Sequence, residues 1–113
     1  MNIAFNMIVV FKYIIPKNYS GLTIFPFIFL RNKKSIHDTL FLNHEKIHLK
    51  QQIELLWIFF FVWYFIEYCI RMYQYKNHEF AYKNISFEKE AYKNERDLNY
   101  LESRKSFAFL KYI

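Results

Sequence analysis

The sequence predicts a small α+β domain in which helices dominate and strands are few. Three observations predict it. One Gly and two Pro among 113 residues are too few turn-makers for an all-β sandwich, which needs a turn every ~8–12 residues. Neither residue occurs from Asp38 to Tyr75, so that stretch reads as one long helix or two abutting helices. A β-branched and aromatic run, Leu22 to Leu30 (LTIFPFIFL), has strand composition. The length suits a single domain over residues 1–113. Hydrophobic residues at 54% supply enough apolar surface to offset chain entropy, which excludes disorder. The one cysteine, Cys69, excludes an internal disulfide, and its apolar surroundings predict an inert packing residue.

The elements follow in chain order. Residues 1–15 are apolar but interrupted by Asn6 and Lys12. They lack a basic start and a small-residue cleavage site, which argues against a cleaved signal peptide. Residues 16–21 (PKNYSG) read as a turn or loop. Pro26 inside the 22–30 strand predicts an edge position, because Pro cannot donate to a central ladder. Residues 31–34 (RNKK) form a basic loop, and Asp38 is a good N-cap for the helix that follows. The first half of that helix is amphipathic. The stretch 55–70 then carries Glu67 as its only charge over 16 residues, inside an apolar helix of about 53–72. That falls just short of the ~20 residues that cross a bilayer straight. It predicts membrane contact, with a buried core helix or an oligomer interface as the alternative. Lys50, Arg71 and Lys76 flank it at headgroup positions, and Glu67 is expected to pair with Arg71. Residues 74–84 are polar and read as a connection. A second helix is expected from Ser86, as its cap, to about Ser103, with Glu88 and Glu90 in its first turn. The tail, 107–113, alternates enough for a final strand.

The aromatic load is 23%, with 14 Phe and 10 Tyr. A domain this small has limited interior for it, so part must face a partner or lipid. The net charge of +6 is compatible with nucleic acid or an anionic membrane. The basic residues are interleaved with acids rather than gathered in a stripe, which argues against nucleic acid.

Residues 44–48 read His44-Glu45-Lys46-Ile47-His48, the pattern HExxH. Histidines at i and i+4 lie on one helix face, so both imidazoles can reach one Zn²⁺. Glu45 is rotated by about a quarter-turn and can approach a metal-associated water as general base without ligating the metal. Chance supplies the motif in about 1% of shuffled chains of this composition. Two surface histidines remain the bland alternative. A third ligand is required. His37 and His78 are available, as are the acids, and the acidic helix at 87–95, with Glu88 and Glu90 on different faces, offers the better candidates. Gln51, seven residues after His44, lies on the metal-facing side, where it can orient a ligand, contact substrate or be a plain polar position.

HEKIH followed by an acidic helix containing EKEAY resembles the gluzincin metallopeptidases, in particular the HtpX and CAAX-prenyl-endopeptidase group. The chain also resembles small bacterial proteins with the same HEKIHLKQQIEL and ISFEKEAYKNE blocks. The third ligand of those membrane proteases is the first Glu of an E-x-x-A-D stretch, which falls here on Glu88, with Ala91 as the alanine. The family's Asp is replaced by Tyr92, a departure that Asn94, Glu95 or the Tyr92 hydroxyl is expected to make good. The resemblance implies a small zincin-like domain, a Zn²⁺ cofactor held by His44, His48 and Glu88, and Glu45 as catalytic base. It implies a peptide or protein substrate laid along an edge strand at Leu22, Thr23, Ile24 and Phe25. Tyr92, Glu95 and Tyr100 are candidates for stabilising an oxyanion. The expected function is zinc-dependent peptide hydrolysis. A catalytically inactive metal-binding membrane module or partner subunit is the alternative. The expected location is a membrane, the bacterial inner membrane, with the cytoplasm as the alternative.

Overall fold

The computed structural model describes residues 8–113, and the reading of the first seven residues lies outside it. A three-stranded sheet packs on a helix, and four further helices complete an α+β fold. The strands are β1 (Ile8–Val10), β2 (Gly21–Ile24) and β3 (Phe27–Leu30). Their order is β1-β3-β2, with β1 parallel and β2 antiparallel to β3. The run 22–30 is therefore a tight hairpin rather than one strand. Pro26 sits in its turn, where no ladder hydrogen bond is asked of it. The edge position holds for β2. Gly21, the only glycine, stands where a Cβ would come within 2.5 Å of the Phe41 ring and 3.0 Å of the Phe29 carbonyl.

Helix α1 (Thr39–Glu54) starts as its sequence predicts: the Asp38 carboxylate accepts from the Phe41 N–H at 3.1 Å. Helix α2 (Ile58–Tyr75) follows after a bend of 112°. No Gly or Pro marks this elbow. Leu56 and Trp57 adopt positive φ of 53° and 41°, a strained conformation for such side chains. Tertiary contacts impose it. Glu54, at the end of α1, accepts from Arg104 Nη1 at 2.8 Å and from the Phe107 N–H at 2.9 Å, so the C-terminal segment pins the corner.

The supposed connection at 74–84 contains helix α3 (His78–Lys83), capped by Asn77 through the Phe80 N–H. Helix α4 (Ser86–Asn94) ends well short of Ser103, and a separate turn of helix, α5 (Tyr100–Ser103), follows. Ser86 does not cap α4. Glu67 of α2 does so instead, accepting from the Ser86 N–H at 2.5 Å, which overturns its expected pairing with Arg71. Arg71 donates to the Asn84 carbonyl and to Gln74. The tail forms a 3-10 turn at Ala108–Tyr112 rather than a strand. Phe109 is driven into the interior there, against Trp63 and Phe87.

Two apolar clusters result. Ile28, Leu30, Leu42 and Leu49 lie between the sheet and α1. Phe60, Ile85, Phe87 and Phe109 lie between α2, α4 and the tail. Between these clusters α1 buries a polar ladder that includes His44, Glu45, His48, Gln51 and Gln52.

Candidate metal centre

Helix periodicity divides the ladder into two stripes. His44, His48 and Gln51 follow i, i+4, i+7 spacing and face α4. Glu45 and Gln52 follow i, i+7 spacing and face the sheet. The first stripe meets Glu88 in the first turn of α4. His44 Nε2, His48 Nε2 and Glu88 Oε1 form a triangle with sides of 3.1, 3.0 and 3.2 Å. All three residues are buried, and together they could hold a metal ion. A tetrahedral ion with bonds of about 2.1 Å separates its donors by about 3.4 Å, so the triangle needs little adjustment to accept one. Two imidazoles and one carboxylate on three corners also leave a fourth position for water or substrate.

Each ligand is oriented by a partner. His48 Nδ1 lies 2.8 Å from Gln51 Oε1, so its proton points there and Nε2 faces the metal position. The Gln51 amide nitrogen donates to the Phe87 carbonyl and to Glu90. His44 Nδ1 lies 3.2 Å from Glu95 Oε1, and the Tyr92 ring packs edge-on against His44 with centroids 4.5 Å apart. Glu95 thus supports the second ring nitrogen of His44, from one turn beyond Tyr92. The free oxygen of Glu88 accepts from the Tyr64 hydroxyl at 2.8 Å. Burial disfavours a charged His48, but Glu88 beside it more than compensates and raises its pKa to about 9. Burial likewise opposes an ionised Glu88, yet His48 and His44 hold it well below the usual carboxylate range.

Glu90 is not the third ligand. It receives Arg104 and Tyr100 as well as Gln51, and so anchors a lock behind the site. Tyr100 is spent on that lock and does not face the metal position. Among the described residues, His37 and His78 do not join the ligand group. His78 instead lies between the hydroxyls of Tyr19 and Tyr68, at 2.7 and 2.9 Å.

Glu45 is held by β2. The Thr23 hydroxyl donates to its carboxylate at 2.5 Å. Thr23 therefore positions the expected base, from a buried place in the wall of the cleft beside it. The Gln52 amide donates to the Thr23 carbonyl at 2.7 Å and accepts from the Phe25 N–H at 2.6 Å, imitating a neighbouring strand. Phe25, in the turn, has its N–H occupied. Because the Thr23 carbonyl faces away from β3, alternation puts Gly21 on the open side of β2 as well, beside the metal group.

No family model, curated protein or solved structure matches this chain.

Two clefts reach the centre. One, of about 480 Å³, has Glu45, His48 and Glu88 at its floor. Its walls are Gly21–Thr23 on one side and Phe60, Phe61, Tyr64, Phe65 and Tyr68 of α2 on the other. The second reaches His44 and Glu45 past Asn18, Ser20, Asp38, Glu79, Lys83 and Glu95. Sequence reasoning missed Gln52 and assigned Thr23 to substrate rather than to holding Glu45. The spacing of Gln52, seven residues after Glu45 on the same face, was the available signal.

Proposed function

We propose that the chain is a zinc-dependent metallopeptidase of the gluzincin type. The observation that carries this reading is the buried convergence of His44, His48 and Glu88 on one point, with Glu45 fixed beside it by Thr23. A zinc ion at that point would acidify an associated water towards neutral pH and polarise a peptide carbonyl. Glu45 takes the proton of the attacking water as the new C–O bond forms. It then delivers that proton to the amine as the C–N bond breaks. Gly21 offers backbone groups to an extended peptide at the open edge of β2. Gln51 and Glu95 keep the two imidazoles aimed at the metal position throughout.

The same proposal places the protein at a membrane surface. No single helix among the described residues is long and apolar enough to cross a membrane. Helix α2 nevertheless exposes Ile58, Phe59, Val62, Phe65, Ile66 and Ile70 on its outer side, each at 49–66%. A face of that kind lies in the headgroup boundary, and the charge of +6 favours anionic lipid.

Metal analysis with hydrolysis assays tests the reading. Purified protein is expected to hold one zinc per chain. It is expected to cleave an unstructured protein substrate, and Glu45→Gln is expected to keep the zinc and lose ~10²–10⁴-fold in rate. Bound zinc with no turnover would make the protein a metal-binding module instead.

A further inference from the structure

The two clefts differ in character, and they meet at the expected base. Tyr19, Gly21, Glu45 and Tyr82 line both. Along β2 and the chain before it, Asn18 and Ser20 border only the polar cleft, Pro16, Leu22 and Thr23 only the apolar one, and Tyr19 and Gly21 border both. A peptide extended along this edge would put the side chains flanking its scissile bond into opposite environments. On one side they meet the aromatic wall of α2. On the other they meet Asp38, Glu79 and Glu95 with Lys83, a mixed and net acidic lining.

We propose that this site cleaves polypeptides where an apolar stretch gives way to a polar one. A large apolar side chain occupies the 480 Å³ cleft and a polar or basic residue lies across the scissile bond in the other. The inference rests on the peptidase reading and names its substrate class. Three observations support it. The apolar cleft is roomy enough for an aromatic or leucine side chain. Its far wall is not spare core surface, because Phe61 and Phe65 line the cleft and are also exposed, at 36% and 66%. Those two residues belong to the same outer face of α2 that carries Phe59, Val62 and Ile66, so the cleft opens onto the apolar face. A segment leaving a bilayer would thus present its apolar part on the α2 side and its polar flank on the solvent side. Burying one large side chain in this way is sufficient for tenfold or greater discrimination.

The test uses four quenched fluorescent peptides of one length: apolar-then-polar, polar-then-apolar, all polar and all apolar. The zinc-loaded full chain is expected to cleave one of the two mixed peptides at least tenfold faster than the all-polar peptide, at the junction. Phe65→Ser is expected to collapse that ratio, because Phe65 is a rim residue whose loss opens no core. Binding of the same peptides to Glu45→Gln, read by fluorescence anisotropy, separates the two ideas. Cleavage of all four peptides at similar rates would overturn the junction proposal and leave the peptidase reading standing. Selective binding of a mixed peptide without turnover by the wild type would sink the peptidase reading and keep the cleft assignment. No binding and no cleavage of any peptide would overturn both.

Discussion

Helices α1 and α2 are consecutive, and each inverts the usual distribution of side chains. Helix α1 turns Asn43, His44, Glu45, His48, Gln51 and Gln52 into the interior. Helix α2 buries only Phe60 and Glu67, and most of its apolar residues face outward. A polar group inside costs free energy unless it is hydrogen-bonded, and an apolar face outside costs free energy unless something covers it. The first cost is met within the chain, by partners on α4, β2 and the tail. The second is not met by any described element of this chain. The difference is one of completion: α1 holds a polar group satisfied internally, and α2 carries an apolar face that no described element covers.

Removing a ligand breaks the α1 side of the comparison most severely. Glu88→Ala deletes the carboxylate that joins both imidazoles and the Tyr64 hydroxyl. The expected outcome is loss of stoichiometric metal by atomic absorption and, with the metal, loss of detectable hydrolysis, because two imidazoles alone leave the ion's ligand set incomplete. Retention of a full zinc complement would mean that the triangle is not the metal site.

Next in size is Arg104→Ala. Its guanidinium is buried between Glu54 and Glu90, and removing it leaves two interior carboxylates without their cation. The expected loss is about 3–5 kcal/mol in urea unfolding, because the penalty is that of unpaired buried charge. The Glu54 corner is freed by the same change, so the elbow at Leu56 and Trp57 loses its clamp. A midpoint close to wild type would show that the polar interior of α1 does not depend on the tail.

These two regions also differ in how legible they were. HExxH and the Asp38 cap could be read from local spacing, because both are set by the repeat of one helix, whereas Glu88, on another helix 40 residues from His48, was reached only through the family resemblance. The apolar run of α2 was equally plain. The elbow was not, since its cause lies in Arg104 and Phe107, some 50 residues away in sequence. The hairpin was hidden because LTIFPFIFL has one composition on both sides of its turn. The burial pattern overturned two further expectations. Cys69 is exposed rather than packed, and Glu67 caps α4 rather than pairing with Arg71. Both depend on which face of α2 meets the body of the protein, and an all-apolar helix does not disclose that in sequence.

A smaller effect is expected at Gln52. Gln52→Ala strips the amide that ties α1 to the Thr23 carbonyl and the Phe25 N–H. Leaving those groups without partners is expected to cost about 1–3 kcal/mol by thermal or urea unfolding. Gln52→Glu is the sharper variant. A carboxylate can accept from Phe25 but cannot donate to Thr23, so it should recover part of the loss. Equal stability of the two variants would show that β2 is held by its ladder to β3 alone.

The smallest effect on stability is expected on the outer face of α2, and it tests the other half of the comparison. Ile66→Ser and Ile70→Ser replace side chains that are 53% and 49% exposed and belong to neither apolar cluster. Unfolding of the double variant in buffer should therefore shift by no more than about 1 kcal/mol, the sum of two ordinary surface changes. Flotation with vesicles containing anionic phospholipid should respond far more strongly, because each lost side chain withdraws apolar area from the membrane boundary. If vesicle binding persisted while stability fell by several kcal/mol, the face would be interior surface of a larger assembly and not a lipid contact. The opposite pattern, intact stability with lost binding, is what an outward-facing apolar helix requires.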